Sequence, residues 1–252
     1  MNRIKVLHAF TYLLLAGCFI LNNPAQSQTI RQDSLTLFDT SRQRSVPVAL
    51  YLPAKPVAHP RVVIVSHGYQ ANKSGSNKNH SYLCTKLAAA GYYVASIQHE
   101  LPTDSLIPSA GIPQVVRRPH WERGAANILF VLNELKRTKP ELDYKHVTLI
   151  GHSNGGDMSM LFAQKYPGLI DKVISLDNRR MPFPRTRHPK LYSLRSSDQP
   201  ADEGVLPTSE EQKTLGITII KLPHTIHNDM DDHGTQAQRD EINRYILRFL
   251  KD

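Results

Sequence analysis

Val147-Thr148-Leu149-Ile150-Gly151-His152-Ser153-Asn154-Gly155-Gly156 is an apolar run that ends in a glycine-rich turn, and Met158 to Tyr166 beyond it reads as helix. A strand that breaks directly into a helix forces the residue at the turn into a cramped backbone. Glycines two residues to either side, Gly151 and Gly155, let strand and helix come close enough for such a turn to exist. Ser153 sits at the apex, so its hydroxyl stands exposed with the N–H of Asn154 beside it. This context makes Ser153 a candidate nucleophile; the chemistry-free alternative is a plain strand-to-helix loop.

The elements on either side repeat one pattern. Val62 to Val65, Tyr93 to Ile97, Val173 to Leu176, Leu191 to Leu194 and Ile217 to Leu222 are short, nearly continuous apolar runs, and Ser81 to Ala90 and Trp121 to Leu135 between them read as helices. The last helix shows Ile242, Tyr245, Ile246, Phe249 and Leu250 at three- and four-residue spacing, one apolar stripe for a sheet to cover. Such alternation predicts an α/β fold: a mostly parallel sheet, buried on both faces by helices. Ser34 to Phe38 and Val46 to Leu52, joined by the charged turn Asp39 to Arg44, predict an antiparallel hairpin at its start. A chain of 252 residues with 40% hydrophobic content supports one sizeable core. No internal repeat or linker divides it, so residues 28–252 are expected to form a single domain.

Residues 1–27 read differently. Arg3 and Lys5 precede the apolar stretch Thr11 to Leu21, and polar and small residues follow, with Ala25 and Ser27 placed for cleavage, which is the pattern of a secretory signal. Leu15-Ala16-Gly17-Cys18 offers a second reading as a lipobox, in which a lipidated Cys18 would tether the protein to a membrane. The expectation is export to the periplasm or beyond, with lipid anchoring as the alternative. Removing this segment leaves Cys84 as the single cysteine, so no internal disulfide supports the fold, and its setting among Tyr82, Leu83 and Leu87 predicts a buried thiol. The formal net charge of +9 favours anionic partners or surfaces, but no recognition helix, zinc-finger or stacking motif accompanies it, so nucleic acid is not an expected partner.

Two connections bear on the site. His99 to His120 carries Pro102, Pro108, Pro113 and Pro119, which exclude regular structure through most of it and suggest a loop near the carboxyl ends of the strands. Between Leu176 and Leu191 there is no room for a large helical lid, so the site is expected to be open.

A serine that transfers acyl groups needs a base, an acid group to hold that base, and N–H donors where negative charge develops. Ser66-His67-Gly68-Tyr69 closes the run Val62 to Val65, and the N–H of Tyr69 can share an oxyanion hole with that of Asn154. These residues, together with Asp39 to Val48, the turn at Ser153 and the late His227, resemble the α/β-hydrolase superfamily. Within it they are similar to the bacterial dienelactone-hydrolase-like and platelet-activating-factor-acetylhydrolase-like branch. The resemblance implies a triad in chain order Ser, Asp/Glu, His, and no cofactor. Dienelactone hydrolases proper use cysteine as nucleophile, so Ser153 argues against that reaction.

The superfamily places its histidine just past the last strand, which favours His227 over His224 and His233. Its aspartate commonly follows the strand Leu191 to Leu194, which favours Asp198, with Asp202 and Asp177 as alternatives. His224, His227, Asp231 and His233 are of the types that bind zinc, but their spacing matches no zinc motif and no metal is expected. His67 and His152 read as packing residues beside the site. Arg179, Arg180, Arg185 and Arg187 crowd the short connection after Asp177 and form a candidate rim for an anionic substrate, or else a solvated loop. The expected function is a secreted serine hydrolase acting on carboxylic esters; an amidase or peptidase with the same triad, or a silent binding module, are the alternatives.

Overall fold

In the computed structural model, residues 30–252 are described. The leader, with Cys18 and the expected cleavage point near Ser27, lies outside them.

Eight strands form one sheet: β1 (Arg31–Asp39), β2 (Arg44–Leu52), β3 (Arg61–Ser66), β4 (Tyr93–Ile97), β5 (Asp143–His152), β6 (Lys172–Leu176), β7 (Lys190–Arg195) and β8 (Thr218–Lys221). Their spatial order is β1-β2-β4-β3-β5-β6-β7-β8. The pairs β1–β2 and β2–β4 are antiparallel, and every other pair is parallel, as the sequence led one to expect. Six helices complete the fold: α1 (Ser81–Ala89), α2 (Pro113–Val116), α3 (Arg118–Thr138), α4 (Asn154–Lys165), α5 (Ser209–Leu215) and α6 (Gln236–Phe249).

Side chains alternate across the pleat, so each central strand feeds two cores. Val62 and Ile64 of β3 face α3 and α4, where Trp121, Ile128, Leu132 and Phe162 are buried. Val63 and Val65 face α1 and α6, where Leu83, Leu87, Ile242, Ile246 and Phe249 are buried, with the free thiol of Cys84 among them. Each fully buried side chain of this size contributes about 1.5–3 kcal/mol relative to exposure. The apolar stripe of the last helix is thus spent on the second of these cores.

Two short helices depart from the sequence expectation. α2 stands inside the proline-rich segment, with Pro113 in its first turn, where a missing N–H costs nothing. α5 begins at Thr208, whose hydroxyl accepts the N–H of Glu211 at 3.2 Å while the Glu211 carboxylate accepts the N–H of Thr208 at 2.7 Å. That reciprocal cap is legible as Thr208-Ser209-Glu210-Glu211.

Parallel register aligns the carboxyl ends of the central strands. His152 pairs with Leu176 across β5–β6, and Leu176 pairs with Leu194 across β6–β7. Ser153, Asp177 and Arg195 therefore emerge side by side at one edge of the sheet.

Candidate active site

Ser153 has φ 51° and ψ −117°, a strained conformation that an L-residue keeps only when its surroundings over-determine it. They do so here. Its N–H donates to the carbonyl of Leu176 at 2.8 Å. A Cβ on Gly151 would lie 2.3 Å from the Gly155 carbonyl oxygen, and one on Gly155 would lie 2.3 Å from that of Ser66. The first turn of α4 is therefore pressed onto the end of β3, which brings Asn154 into the corner where β3 runs on into Gly68 and Tyr69. Both Tyr69 and Ser153 line a cleft of about 510 Å³, with His152, His227 and the segment Asn228 to His233 as its other wall.

His227 follows β8 and opens a short 3-10 turn that ends at Met230. Its Nε2 lies 2.9 Å from Ser153 Oγ, and its Nδ1 lies 2.6 Å from Asp177 Oδ2. The bonds fix the proton on Nδ1, donated to the carboxylate, and leave Nε2 to accept from the serine hydroxyl. His152 packs against this ring with centroids 4.8 Å apart, and its Nε2–H donates to the His227 carbonyl at 3.1 Å. Burial holds the His152 ring down to about 3, so it stays neutral beside its neighbour.

The carboxylate at the histidine is that of Asp177, not of Asp198. Asp177 ends β6 with a φ of 60°, a left-handed turn that aspartate tolerates better than most residues. It is fully buried, and besides His227 it accepts from Ser196 Oγ at 2.6 Å and Ser196 N–H at 3.1 Å, with the Arg195 guanidinium paired to its other oxygen at 2.8 Å. Burial alone would raise its pKa, but the bond from His227, the charge of Arg195 and the Ser196 donors outweigh it and hold the group below the usual carboxylate range. Asp198 lies three residues past the end of β7 and is exposed. Its Oδ1 accepts the backbone N–H of His227 at 2.7 Å, so it steadies the loop and leaves the imidazole to Asp177. The β7 end thus supplies Arg195 and Ser196, partners of the carboxylate, in place of the carboxylate itself. Asp202 is engaged elsewhere, accepting from Gln114 Nε2 at 3.0 Å.

The other late histidines make no hydrogen bond to Ser153, although His233 lines the cleft. His224 is exposed, and His233 pairs through Nδ1 with Asp231 at 2.7 Å. Among the described residues no three ligating side chains cluster as a metal site would require.

Behind Asn154 lies a polar network that the sequence did not disclose. The Asn154 side chain accepts from Trp121 Nε1 at 2.9 Å and donates to Glu100 Oε1 at 3.1 Å. Glu100 is 1% exposed, and burial pushes its carboxyl up to about 7 despite the opposing charge of Arg123. Its other oxygen accepts no hydrogen bond and sits 3.7 Å from His67 Nε2. That ring donates from Nδ1 to the Gly68 carbonyl at 2.7 Å and accepts the His99 N–H on Nε2 at 3.1 Å, so it is neutral, and its burial holds it down to about 4. In sequence, His99 and Glu100 read only as the start of the proline-rich loop.

The arginines after Asp177 divide into two groups. Arg185 is committed to bracing its own loop against the one after β7, donating to the carbonyls of Phe183 at 2.7 Å, Gly204 at 3.1 Å, Val205 at 3.4 Å and Leu206 at 3.1 Å, and to Glu211 of α5 at 3.2 Å. Arg187 is exposed and makes no side-chain hydrogen bond or ion pair among the described residues. Arg179 reaches Gln199 and the Pro200 carbonyl, while the Arg180 N–H donates to Asp157 Oδ1 at 3.0 Å, one turn of α4 beyond Ser153. Arg185 is therefore no part of a free rim.

Comparison with known proteins fits this geometry. A Drosophila melanogaster protein described as a probable serine hydrolase is 27% identical over 124 residues, which is 48% of this chain; the chain spans only 38% of that relative. A Xanthomonas campestris α/β serine hydrolase described as lacking a lid superposes with a TM-score of 0.59 at 19% identity, over 87% of this chain and 94% of that one. A Klebsiella pneumoniae protein described as a putative dienelactone hydrolase gives 0.60 at 14% identity, over 88% and 99%. At such identities these two structures speak for the fold. The sequence profile of the α/β-hydrolase fold family matches residues 63–204, from β3 through Ser153 to the loop after β7. With more than half of its length matched in this way, the chain belongs to the α/β-hydrolase fold family.

Proposed function

We propose that the protein is a serine hydrolase of carboxylic esters that works through an acyl-enzyme, with Ser153 as nucleophile, His227 as base and then acid, and Asp177 as the group that orients it. One observation carries this reading: His227 bridges the strained Ser153 and a buried carboxylate through both ring nitrogens, at 2.9 and 2.6 Å. A base within hydrogen-bond reach of its nucleophile, itself held by a third group, is the arrangement nucleophilic catalysis needs.

The steps follow from the geometry. Ser153 Oγ attacks the ester carbonyl carbon as its proton passes to His227 Nε2. The imidazolium so formed is stabilised by Asp177, which remains ionised. The N–H groups of Tyr69 and Asn154 face the carbonyl oxygen as its charge develops, a contribution commonly of about 3 kcal/mol per donor. Collapse of the tetrahedral species breaks the bond to the alcohol oxygen, which leaves with the proton from Nε2. Water, deprotonated by the same nitrogen, then attacks the acyl-serine and returns Ser153. Esters are favoured over amides because an oxygen leaving group needs less protonation. Export before action, by cleavage near Ser27 or by lipidation of Cys18, belongs to the same proposal and rests on the sequence of residues 1–27.

A fluorophosphonate probe tests the central claim. Covalent labelling of the wild type that is lost in Ser153→Ala, with hydrolysis of short-chain esters lost in parallel, is the expected result. Undiminished ester hydrolysis by purified Ser153→Ala would overturn it. Mass spectrometry of the exported N-terminus separates cleavage near Gln28 from a diacylglyceryl-modified Cys18.

A further inference from the structure

Asp202 ties α2 to the loop after β6. Gln114 Nε2 donates to Asp202 Oδ2 at 3.0 Å, and the N–H of Asp202 donates to the Arg179 carbonyl at 2.9 Å. Arg117 caps the end of α2, so this tie holds it within electrostatic reach of Arg179 and Arg180, which follow Asp177 and Asn178. The guanidiniums of Arg179 and Arg180 depress the pKa of Arg117, adding to the larger effect of its burial, and Tyr69 and Asp157 act on it in the opposite sense.

Three like charges at such range repel one another unless something answers them. Neither Arg117 nor Arg180 donates a side-chain hydrogen bond or forms an ion pair among the described residues, and Arg180 Nε is buried without an acceptor. A buried donor left unpaired costs roughly 1–3 kcal/mol, and more when it is charged. Of the nearby carboxylates, Asp202 accepts from Gln114, and Asp157 does not compensate them either. It is fully buried, burial raises its pKa, and its Oδ1 is taken by the N–H groups of Arg180 and Met181 and by Asn178 Nδ2. The acids across the cleft are likewise occupied, Asp231 by His233 and Asp229 by Gln238 Nε2 at 3.0 Å.

We propose that Arg117, Arg179 and Arg180 form an anion-recognition subsite beside Ser153, which holds a carboxylate or phosphate group carried by the ester substrate. The inference rests on the assignment of Ser153 as nucleophile for its catalytic half and on the three arginines alone for its binding half. Arginine forks suit both anions, since each presents paired N–H donors to two oxygens. The subsite therefore accepts a substrate with charge on either side of the ester bond.

Two matched pairs read the subsite. The 4-nitrophenyl half-ester of succinate is set against 4-nitrophenyl butyrate for charge on the acyl side, and 4-carboxyphenyl acetate against phenyl acetate for charge on the alcohol side. At low salt the wild type should favour the anionic member of at least one pair by tenfold or more in kcat/KM. The preference should shrink toward unity at 1 M salt, where the Debye length is about 3 Å. Arg117→Gln and Arg180→Gln should each reduce the ratio, the double variant should abolish it, and Arg185→Gln should leave it as in the wild type. Calorimetric titration of Ser153→Ala with succinate and with inorganic phosphate measures the binding half without turnover, and saturable binding should be lost when Arg117→Gln and Arg180→Gln are added. Equal kcat/KM within both pairs, or a preference that survives the double variant, overturns the subsite. Absence of probe labelling and of all ester hydrolysis would instead strike the nucleophile assignment, and the titration would then decide the subsite by itself.

Discussion

The carboxylate of Asp198 accepts the backbone N–H of His227 at 2.7 Å and leaves the ring of that histidine to Asp177, 2.6 Å from Nδ1. The two acids on one residue do different work, and substitution separates them. Asp177→Asn keeps the shape but offers an amide that cannot stabilise imidazolium and favours the wrong tautomer, so kcat/KM should fall by ~10⁴-fold. Asp198→Asn loses at most one hydrogen bond to the backbone, worth ~1 kcal/mol, and should cost less than about tenfold. Steady-state kinetics of both variants on one ester checks this; a larger loss at Asp198 would return the acid's role to the end of β7.

Relief of the strained turn should be visible in stability. Ser153→Gly exchanges a left-handed L-residue for one that takes the conformation freely, a gain of about 1–2 kcal/mol that is partly offset by a more flexible unfolded chain. A rise of up to ~1 kcal/mol in the urea unfolding free energy is expected, with no comparable rise for Ser153→Ala. Equal stabilities of the Gly and Ala variants would show that the turn holds no strain.

Glu100 should make the fold less stable as pH rises. Its folded pKa is raised from 4.5 to about 7 by burial, so between those values the native state binds more protons than the unfolded one. Stability from this group is complete below pH 4.5 and is lost as pH passes through about 7, by about 3 kcal/mol in all. Gln in its place keeps the acceptor for Asn154 Nδ2 and cannot ionise. The stability difference between pH 5 and pH 8 should therefore be smaller in Glu100→Gln than in the wild type, measured by urea midpoints at both. Asp177 has the opposite sign: its lowered pKa gives stability that is present above its usual value of 3.8 and is lost as pH falls below it.

Arg185 should act on the fold. Arg185→Ala removes four bonds to carbonyls, one in its own loop and three in the loop after β7, and one to Glu211, and a loss of about 2 kcal/mol is expected from the mean worth of hydrogen bonds to charged groups. Thermal unfolding reads the change. An unaltered Tm would mean that these contacts are dispensable and would free the guanidinium for another task.

Legibility in the sequence followed the range of the forces involved. Strands, the long helices and the turn at Ser153 are written in local periodicity and in glycines two residues from the serine, and they stand where expected. His227 was legible through the resemblance, which places the histidine just past the last strand. Asp177 was not, since which carboxylate meets a ring 50 residues away depends on strand register and on Arg195 and Ser196, none of which local pattern reveals. Arg117 was hidden for the same reason: it reads as one more base in a proline-rich loop until Gln114 and Asp202 tie that loop to the residues after β6. The run Arg179 to Arg187 read as one rim or one solvated loop, because spacing alone cannot tell a free guanidinium from one bonded to the carbonyls of a neighbouring loop.

On the proposed mechanism, placing the acid at the end of β6 divides the labour of the chain between two parts of the fold. Ser153 and Asp177 follow residues that pair directly in one ladder, so their separation is set by the innermost part of the sheet and cannot drift while that ladder stands. On that mechanism the stretch from Gln199 to Pro207 carries no reacting atom, and its contacts include those to Arg179, Arg185, Gln114 and Ser196. A change there reaches what surrounds the substrate before it reaches Ser153, His227 or Asp177, as a frame that holds its hinge pin apart from its panel lets the panel be exchanged. Variation in what such enzymes accept is expected to concentrate there, while the pair of strands behind it stays constant.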